Sequence, residues 1–198
     1  MLTRRSFCSI AFVQLLFLKS CAQVVSDVET NVKTFLPVIL TSVTQILNLL
    51  ASTGVLPLGT GTAAAGLLAM INAGTTTALT AIDQYENDPA ADKATLAGKI
   101  REALSAMADN VSTFISNLKL TGNPAVNVVA SLVSILLSAI TGYANQLPAP
   151  VGGRLTVVSP AMVAGRPLEI TATPLKRKDY VKKFNAALPA EFAQYQIH

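Results

Sequence analysis

The side chains able to do chemistry fall into three groups, and none of them makes a catalytic set. His198 is the sole histidine and the last residue, and Cys8 and Cys21 are the only cysteines. Without an internal His beside a Ser or Cys, the usual nucleophile–base pair of acyl transfer cannot be built. No Cys/His cluster has the spacing for zinc or haem. A second group, the carboxylates Asp83, Glu86, Asp88 and Asp92, crowds one turn, but its spacing fits no calcium loop, so no metal site is expected. Gly59-Thr60-Gly61-Thr62 lacks the Gly-Lys-Ser/Thr ending of a phosphate loop and lies between helical stretches. The third group is basic: Lys176, Arg177, Lys178, Lys182 and Lys183 flank Tyr180 and Phe184. A basic amphipathic helix of this kind binds anionic lipid headgroups. Alternatively it docks its aromatics on its own protein and turns its charges to an acidic region. The expected chemistry is therefore binding, within the chain or at an anionic surface, with no catalysis and no cofactor.

Composition sets the frame for that chemistry. The chain has 198 residues, 51% of them hydrophobic and 13% charged, against roughly 25% charged in an average soluble domain. Residues 21–147 carry five basic and eight acidic side chains, while residues 148–198 carry seven basic and three acidic. A mildly acidic body thus ends in a basic tail. That tail is too weakly charged to argue for nucleic acid, and no nucleic-acid module is evident.

The N-terminus reads as an address. Met1-Leu2-Thr3-Arg4-Arg5-Ser6-Phe7 is a short basic start, followed by an apolar run to Leu18. This is the pattern of an export signal, and the run is too short to span a bilayer comfortably. Thr3-Arg4-Arg5-Ser6-Phe7 resembles the twin-arginine export motif, with Arg4 and Arg5 as the pair. Leu18-Lys19-Ser20-Cys21 resembles a bacterial lipobox. The resemblance implies export across a bacterial inner membrane, cleavage after residue 20 and acylation of Cys21 as the membrane anchor. Ala22 after Cys21 suggests the outer membrane.

Four long helical segments follow, each punctuated. Ser26-Asp27-Val28-Glu29 reads as a capping box. Val25, Val28, Val32, Phe35, Ile39, Val43, Ile46 and Leu50 recur at spacings of three and four along the segment, which stops at Gly54. Pro37 should bend this segment. A second segment runs from about Ala63 to Tyr85. Asp88-Pro89 reads as N-cap and first helical residue of the third, whose seam is Ala97, Ile100, Leu104, Met107, Val111, Phe114 and Leu118. It ends at Gly122, and Asn123-Pro124 opens the fourth. The expected fold is mainly α: an elongated antiparallel four-helix bundle over residues 21–147, each helix roughly 35–45 Å long. Val43, Ile46, Leu104, Met107, Val111, Phe114, Leu132 and Leu136 should belong to its core. Residues 148–198 add a linker, a short hairpin with strands at Arg154–Val158 and Leu168–Ala172, and a basic helix from Lys176 to Leu188 with Tyr180, Phe184 and Leu188 on one side.

Charge is missing from two long stretches, the 49 residues of 34–82 and the 34 residues of 120–153. Small polar residues take its place. Asn127, Ser131, Ser134, Ser138, Thr141 and Asn145 form one stripe at helical spacing, and Asn31, Thr34, Thr41, Gln45, Asn48 and Ser52 form another. Such stripes face water, or they face other helices in an oligomer, an envelope partner or lipid. Against deep insertion, Arg101, Glu102 and Asp109 run along the third helix. The functional expectation is a non-enzymatic, lipid-anchored envelope protein with a structural or interaction role. The alternatives are a membrane-active or pore-lining homo-oligomer and a carrier of an apolar small molecule.

Overall fold

The computed structural model describes residues 5–56, 61–118, 125–148 and 161–198, with side chains from Val28 onward, Glu29 and Gly61 excepted. The chain is mainly helical, with one small antiparallel sheet of two strands.

Helix α1 spans Arg5–Ser52. It is already under way at Ser26, which corrects the expected capping box. An interior amide has its own carbonyl one turn back and needs no cap. The helix continues through Pro37, whose ring lies on the exposed side. Its end is a Schellman motif. Gly54 takes a φ of 69°, the Gly54 amide donates to Ala51 and the Val55 amide to Leu50 at 3.0 Å. The left-handed turn needs glycine, and the two bonds satisfy carbonyls that the helix leaves orphaned.

Helix α2 spans Gly61–Asn87, α3 Lys93–Ser116 and α4 Val126–Gln146. The cap of α3 is Asp92, not Asp88: its carboxylate accepts from the Ala94 and Thr95 amides and from the Thr95 hydroxyl at 2.6 Å. Asp88 instead closes a turn by accepting from the Ala90 amide. The expected third-helix end at Gly122 and the Asn123-Pro124 start lie outside the described residues, and α3 itself stops at Ser116.

The helical seams are buried as their spacing requires. Val43, Ile46, Leu104, Met107, Val111, Leu132 and Leu136 are in the core, and Phe114 packs half-buried at its edge. Full burial of one such side chain is worth about 1.5–3 kcal/mol. Helix α1 packs on α2 and α4, and α3 packs on the same two. Where α2 meets α3, a Cβ on Gly74 would press into the Met107 side chain. Two polar ties mark the ends. Lys33 on α1 pairs with Asp83 at 3.1 Å and Glu86 at 2.8 Å, both late in α2. Arg101, early in α3, donates to the Leu147 carbonyl just past α4 at 2.7 Å.

The tail closes over this assembly. Strands β1 (Met162–Val163) and β2 (Arg166–Pro167) pair antiparallel around Ala164 and Gly165. Both turn residues have positive φ, 50° and 79°, as a two-residue type I′ hairpin demands. The expected hairpin is thus corrected. Of its strands, 154–158 lies outside the described residues, and 168–172 is not a strand: the Leu168 amide still donates to Ala161, but the backbone of Glu169 and Thr171 bonds to serines of α4. Helix α5 (Arg177–Ala186) and a short 3-10 helix (Ala190–Tyr195) complete the chain. Tyr180, Phe184, Leu188 and Ile197 share a single core with the long helices.

Candidate functional site

The tail creates the site, so its attachment comes first. Tyr180 and Phe184 recur at four residues and point into the core, both at 0% exposure. Tyr180 meets Phe35 edge-on at 4.9 Å between ring centres, and Phe35 meets Tyr143 at 5.1 Å. Each such pair adds about 0.5–1.5 kcal/mol beyond area burial. A buried phenol also needs a hydrogen-bond partner. The Tyr180 hydroxyl donates to Ser42 at 2.8 Å, and Ser42 donates to the Val38 carbonyl at 2.7 Å. Burial pushes the Tyr180 hydroxyl well above the usual phenol range, against a smaller opposite pull from Ser42. Burial raises Tyr143 as well, and its hydroxyl donates to the Leu175 carbonyl at 2.5 Å.

Between the hairpin and α5 the chain crosses α4 in extended form. Ser134 donates to the Glu169 carbonyl at 2.6 Å, and the Thr171 amide donates to Ser138 at 3.2 Å. Gly142 lies under the crossing, where a Cβ would overlap the backbone of Thr173 and Pro174. Ser134 and Ser138, in the middle of the α4 polar stripe, therefore serve as a bed for the chain's own tail. At the far end, Asn185 holds Ile197 by two bonds of 2.9 Å, one donated by its amide nitrogen and one accepted by its oxygen.

So anchored, α5 presents its cations outward. Lys176, Arg177, Lys178, Lys182 and Lys183 are all exposed. Lys178 and Lys182 are offset by two positions from Tyr180 and Phe184, roughly half a turn around the helix. Arg177 donates to the His198 carbonyl at 3.1 Å. Between described residues the ion pairs are those of Lys33 with Asp83 and Glu86, and none of them involves a cation of α5. The acidic region spends Asp83 and Glu86 on Lys33, whose pKa is raised by hydrogen bonds first to Glu86 and then to Asp83. Asp92 is spent on its cap, and the Thr95 hydroxyl holds its pKa below the usual value. Among the described residues no cluster of three or more His, Cys, Asp or Glu is poised for a metal.

Beside α5 lies an open groove of about 590 Å³. Its lining is mostly apolar, from Ala130, Ile135, Leu168, Ala186 and Ala187, with the hydroxyl residues Ser131 and Ser134 and the cation Lys183. A smaller cavity of about 120 Å³ continues it under Thr171 and Thr173, sharing Ser134, Ile135 and Lys183. Sequence reasoning found the cations and aromatics by periodicity. It missed Asn185, Gly142 and the groove, because the partners of all three come from distant segments.

Of the other sequence-derived sites, Arg4 lies outside the described residues. Arg5 and Cys21 lie on α1, with side chains outside them. Three helical stretches, Thr30–Ser52, Thr62–Asn87 and Val126–Gln146, are long and apolar enough to cross a membrane by length and composition. Compared with protein-family models, curated proteins and solved structures, the chain matches none of them.

Proposed function

We propose that this is a non-enzymatic envelope protein, an antiparallel four-helix bundle tethered through an acylated Cys21, whose tail applies a basic face to an anionic membrane surface. The observation that carries the reading is the state of α5: two buried aromatics fix the helix, and five exposed cations make no ion pair among the described residues. A cationic face held rigidly gives up little conformational freedom on meeting headgroups. The ties of Lys33 to late α2 and of Arg101 to the end of α4 support the antiparallel order.

The address is tested by intact mass. Acylated protein should begin at Cys21, Cys21→Ala should release it to the soluble fraction, and Arg4→Lys with Arg5→Lys should block export. The surface is tested by sedimenting the full chain carrying Cys21→Ala with vesicles. It should bind phosphatidylglycerol-containing vesicles, bind neutral ones weakly and lose binding in salt. At about 1 kcal/mol per cation, Lys178→Gln with Lys182→Gln should weaken binding about 30-fold. Equal binding to neutral vesicles would overturn the reading.

A second reading, association through α2 with a second copy or with lipid, is favoured by the bare face of that helix. Met70 is 48% exposed there, and the exposed Thr76 and Thr77 donate to the Asn72 and Ala73 carbonyls of their own helix. Such back-bonded threonines present methyl groups outward.

A further inference from the structure

We infer that the groove between α4 and α5 binds a long-chain carboxylate, a fatty acid, with its alkyl chain along the apolar floor and its carboxylate at Lys183 Nζ. Three observations converge. The trough is shallow and open, about 590 Å³, with a smaller cavity of about 120 Å³ beside it that shares Ser134, Ile135 and Lys183, which gives a single extended chain room to lie. The floor of alanines, Ile135 and Leu168 offers an alkyl chain contact and nothing to a polar one. Lys183 is the one charged side chain lining either cavity, no carboxylate lines them, and Lys183 makes no ion pair among the described residues although Asp179 precedes it by one helical turn.

The ligand's sign and shape follow from that lining. A neutral hydrocarbon would make no use of the Lys183 ammonium. A small hydrophilic anion would leave the floor unused. A single alkyl chain ending in a carboxylate satisfies both, and Ser131 adds a hydroxyl to the same lining. The covered half of the α4 stripe supplies the site's rigidity: Ser134 and Ser138 hold residues 169–171 against the helix, so the groove wall is fixed before a ligand arrives.

This inference goes beyond the membrane reading and is separable from it. Lys178 and Lys182, the vesicle-facing cations, line neither cavity. The experiment titrates the full chain carrying Cys21→Ala with octanoate, decanoate and dodecanoate, carboxyl-labelled with carbon-13 and kept below micelle formation, reading the carboxyl resonance. One equivalent should bind, with affinity rising about two- to fourfold per added methylene. Lys183→Glu and, independently, Ala186→Glu should each weaken dodecanoate at least tenfold, with the circular dichroism of both unchanged. Lys182→Glu should change it less than twofold. Binding that ignores chain length, or that falls equally with Lys182→Glu and Lys183→Glu, would overturn the proposal and indicate diffuse attraction to the basic face. Absence of binding at 1:1 stoichiometry would overturn it as well, whatever the vesicles show.

Discussion

Helices α2 and α4 have much the same texture, apolar and uncharged with small polar residues at helical spacing, yet they meet opposite fates. On α4 the hydroxyls of Ser134 and Ser138 bond to the backbone of residues 169–171, and the helix disappears beneath the tail. On α2 the hydroxyls of Thr76 and Thr77 turn back onto their own helix, and both residues are exposed among the described residues. The apolar stretch of α4 is 56% buried and that of α2 33%. A neutral hydroxyl stripe is therefore not one signal. Where the hydroxyls bond another segment, Ser134 as donor and Ser138 as acceptor, the stripe is a docking bed; where they donate to the helix's own carbonyls, the stripe is an apolar face in disguise. A pore lined by α4 would first have to displace the tail, whereas α2 presents its face freely.

The sharpest break of the comparison is at the anchor. Tyr180→Ala removes a fully buried ring from beneath the tail and should cost about 3–5 kcal/mol. Met70→Ala on the bare face should stay within about 0.5 kcal/mol. Urea titration of each variant checks both. A Tyr180→Ala cost below 1 kcal/mol would mean that the tail is not part of the cooperative core. The hydroxyl adds a pH signature. The pKa of Tyr180 is higher folded than unfolded, so folding favours the protonated phenol. Its stabilisation is whole below the unfolded value of about 10 and is lost as pH rises above it, by up to about 1.4 kcal/mol per pH unit. Tyr180→Phe should flatten that alkaline decline, leaving the smaller contribution of Tyr143.

Glycines give the next largest contrast. Gly142→Ala puts a Cβ into the backbone of Thr173 and Pro174 and should cost about 1–3 kcal/mol by overpacking. Gly66→Ala on α2, where a Cβ meets nothing within 4 Å, should stabilise by about 0.5–1 kcal/mol through helix propensity. Opposite signs in thermal melts are expected. Two stabilising results would show that the tail does not cross α4 at Gly142.

Hydroxyls test the comparison directly. Ser138→Ala leaves the Thr171 amide without its acceptor and should cost about 1–2 kcal/mol. Thr77→Ala loses only a bond to its own helix and should fall within about 0.5 kcal/mol of the parent, since alanine is the better helix former. If the two changes cost the same, the distinction between bed and bare face fails.

How much of this was legible depends on the range of the interaction. The seams of α1, α3 and α4 were readable because burial at 3–4 spacing is written locally, and Tyr180 and Phe184 declared an inward face for the same reason. The cap was misplaced by four residues because both Asp88 and Asp92 precede the helix. The deciding signal was Thr95, three residues after Asp92, whose hydroxyl and amide both reach the carboxylate. Residues 168–172 have strand-like composition, but a strand is defined by its partner. Here the partner is a row of serines some 35 residues earlier, which no local pattern announces. The groove was invisible for the same reason, being a product of α4, α5 and the crossing segment together.

The smallest expected effect lies within that crossing. Ala172 adopts a φ of 47°, a left-handed conformation that costs an L-residue with a Cβ roughly 1–2 kcal/mol. The fold holds it there because Thr171 must present its amide to Ser138 while Leu175, a few residues on, presents its carbonyl to Tyr143, and a straight extended chain would not serve both. Glycine adopts this conformation freely but pays about 0.5–1 kcal/mol more in unfolded-chain entropy. The balance predicts that Ala172→Gly stabilises by about 0.5 kcal/mol, a rise of about 1–2 °C in melting temperature for a chain of this size. Ala172 is also half-buried, so a fall in melting temperature would mean that its methyl contact with the assembly outweighs the strain. The tail would then be held by packing along its whole crossing rather than by its hydrogen bonds to α4, and the contrast with α2 would rest on covered area instead of on which partners the hydroxyls bond.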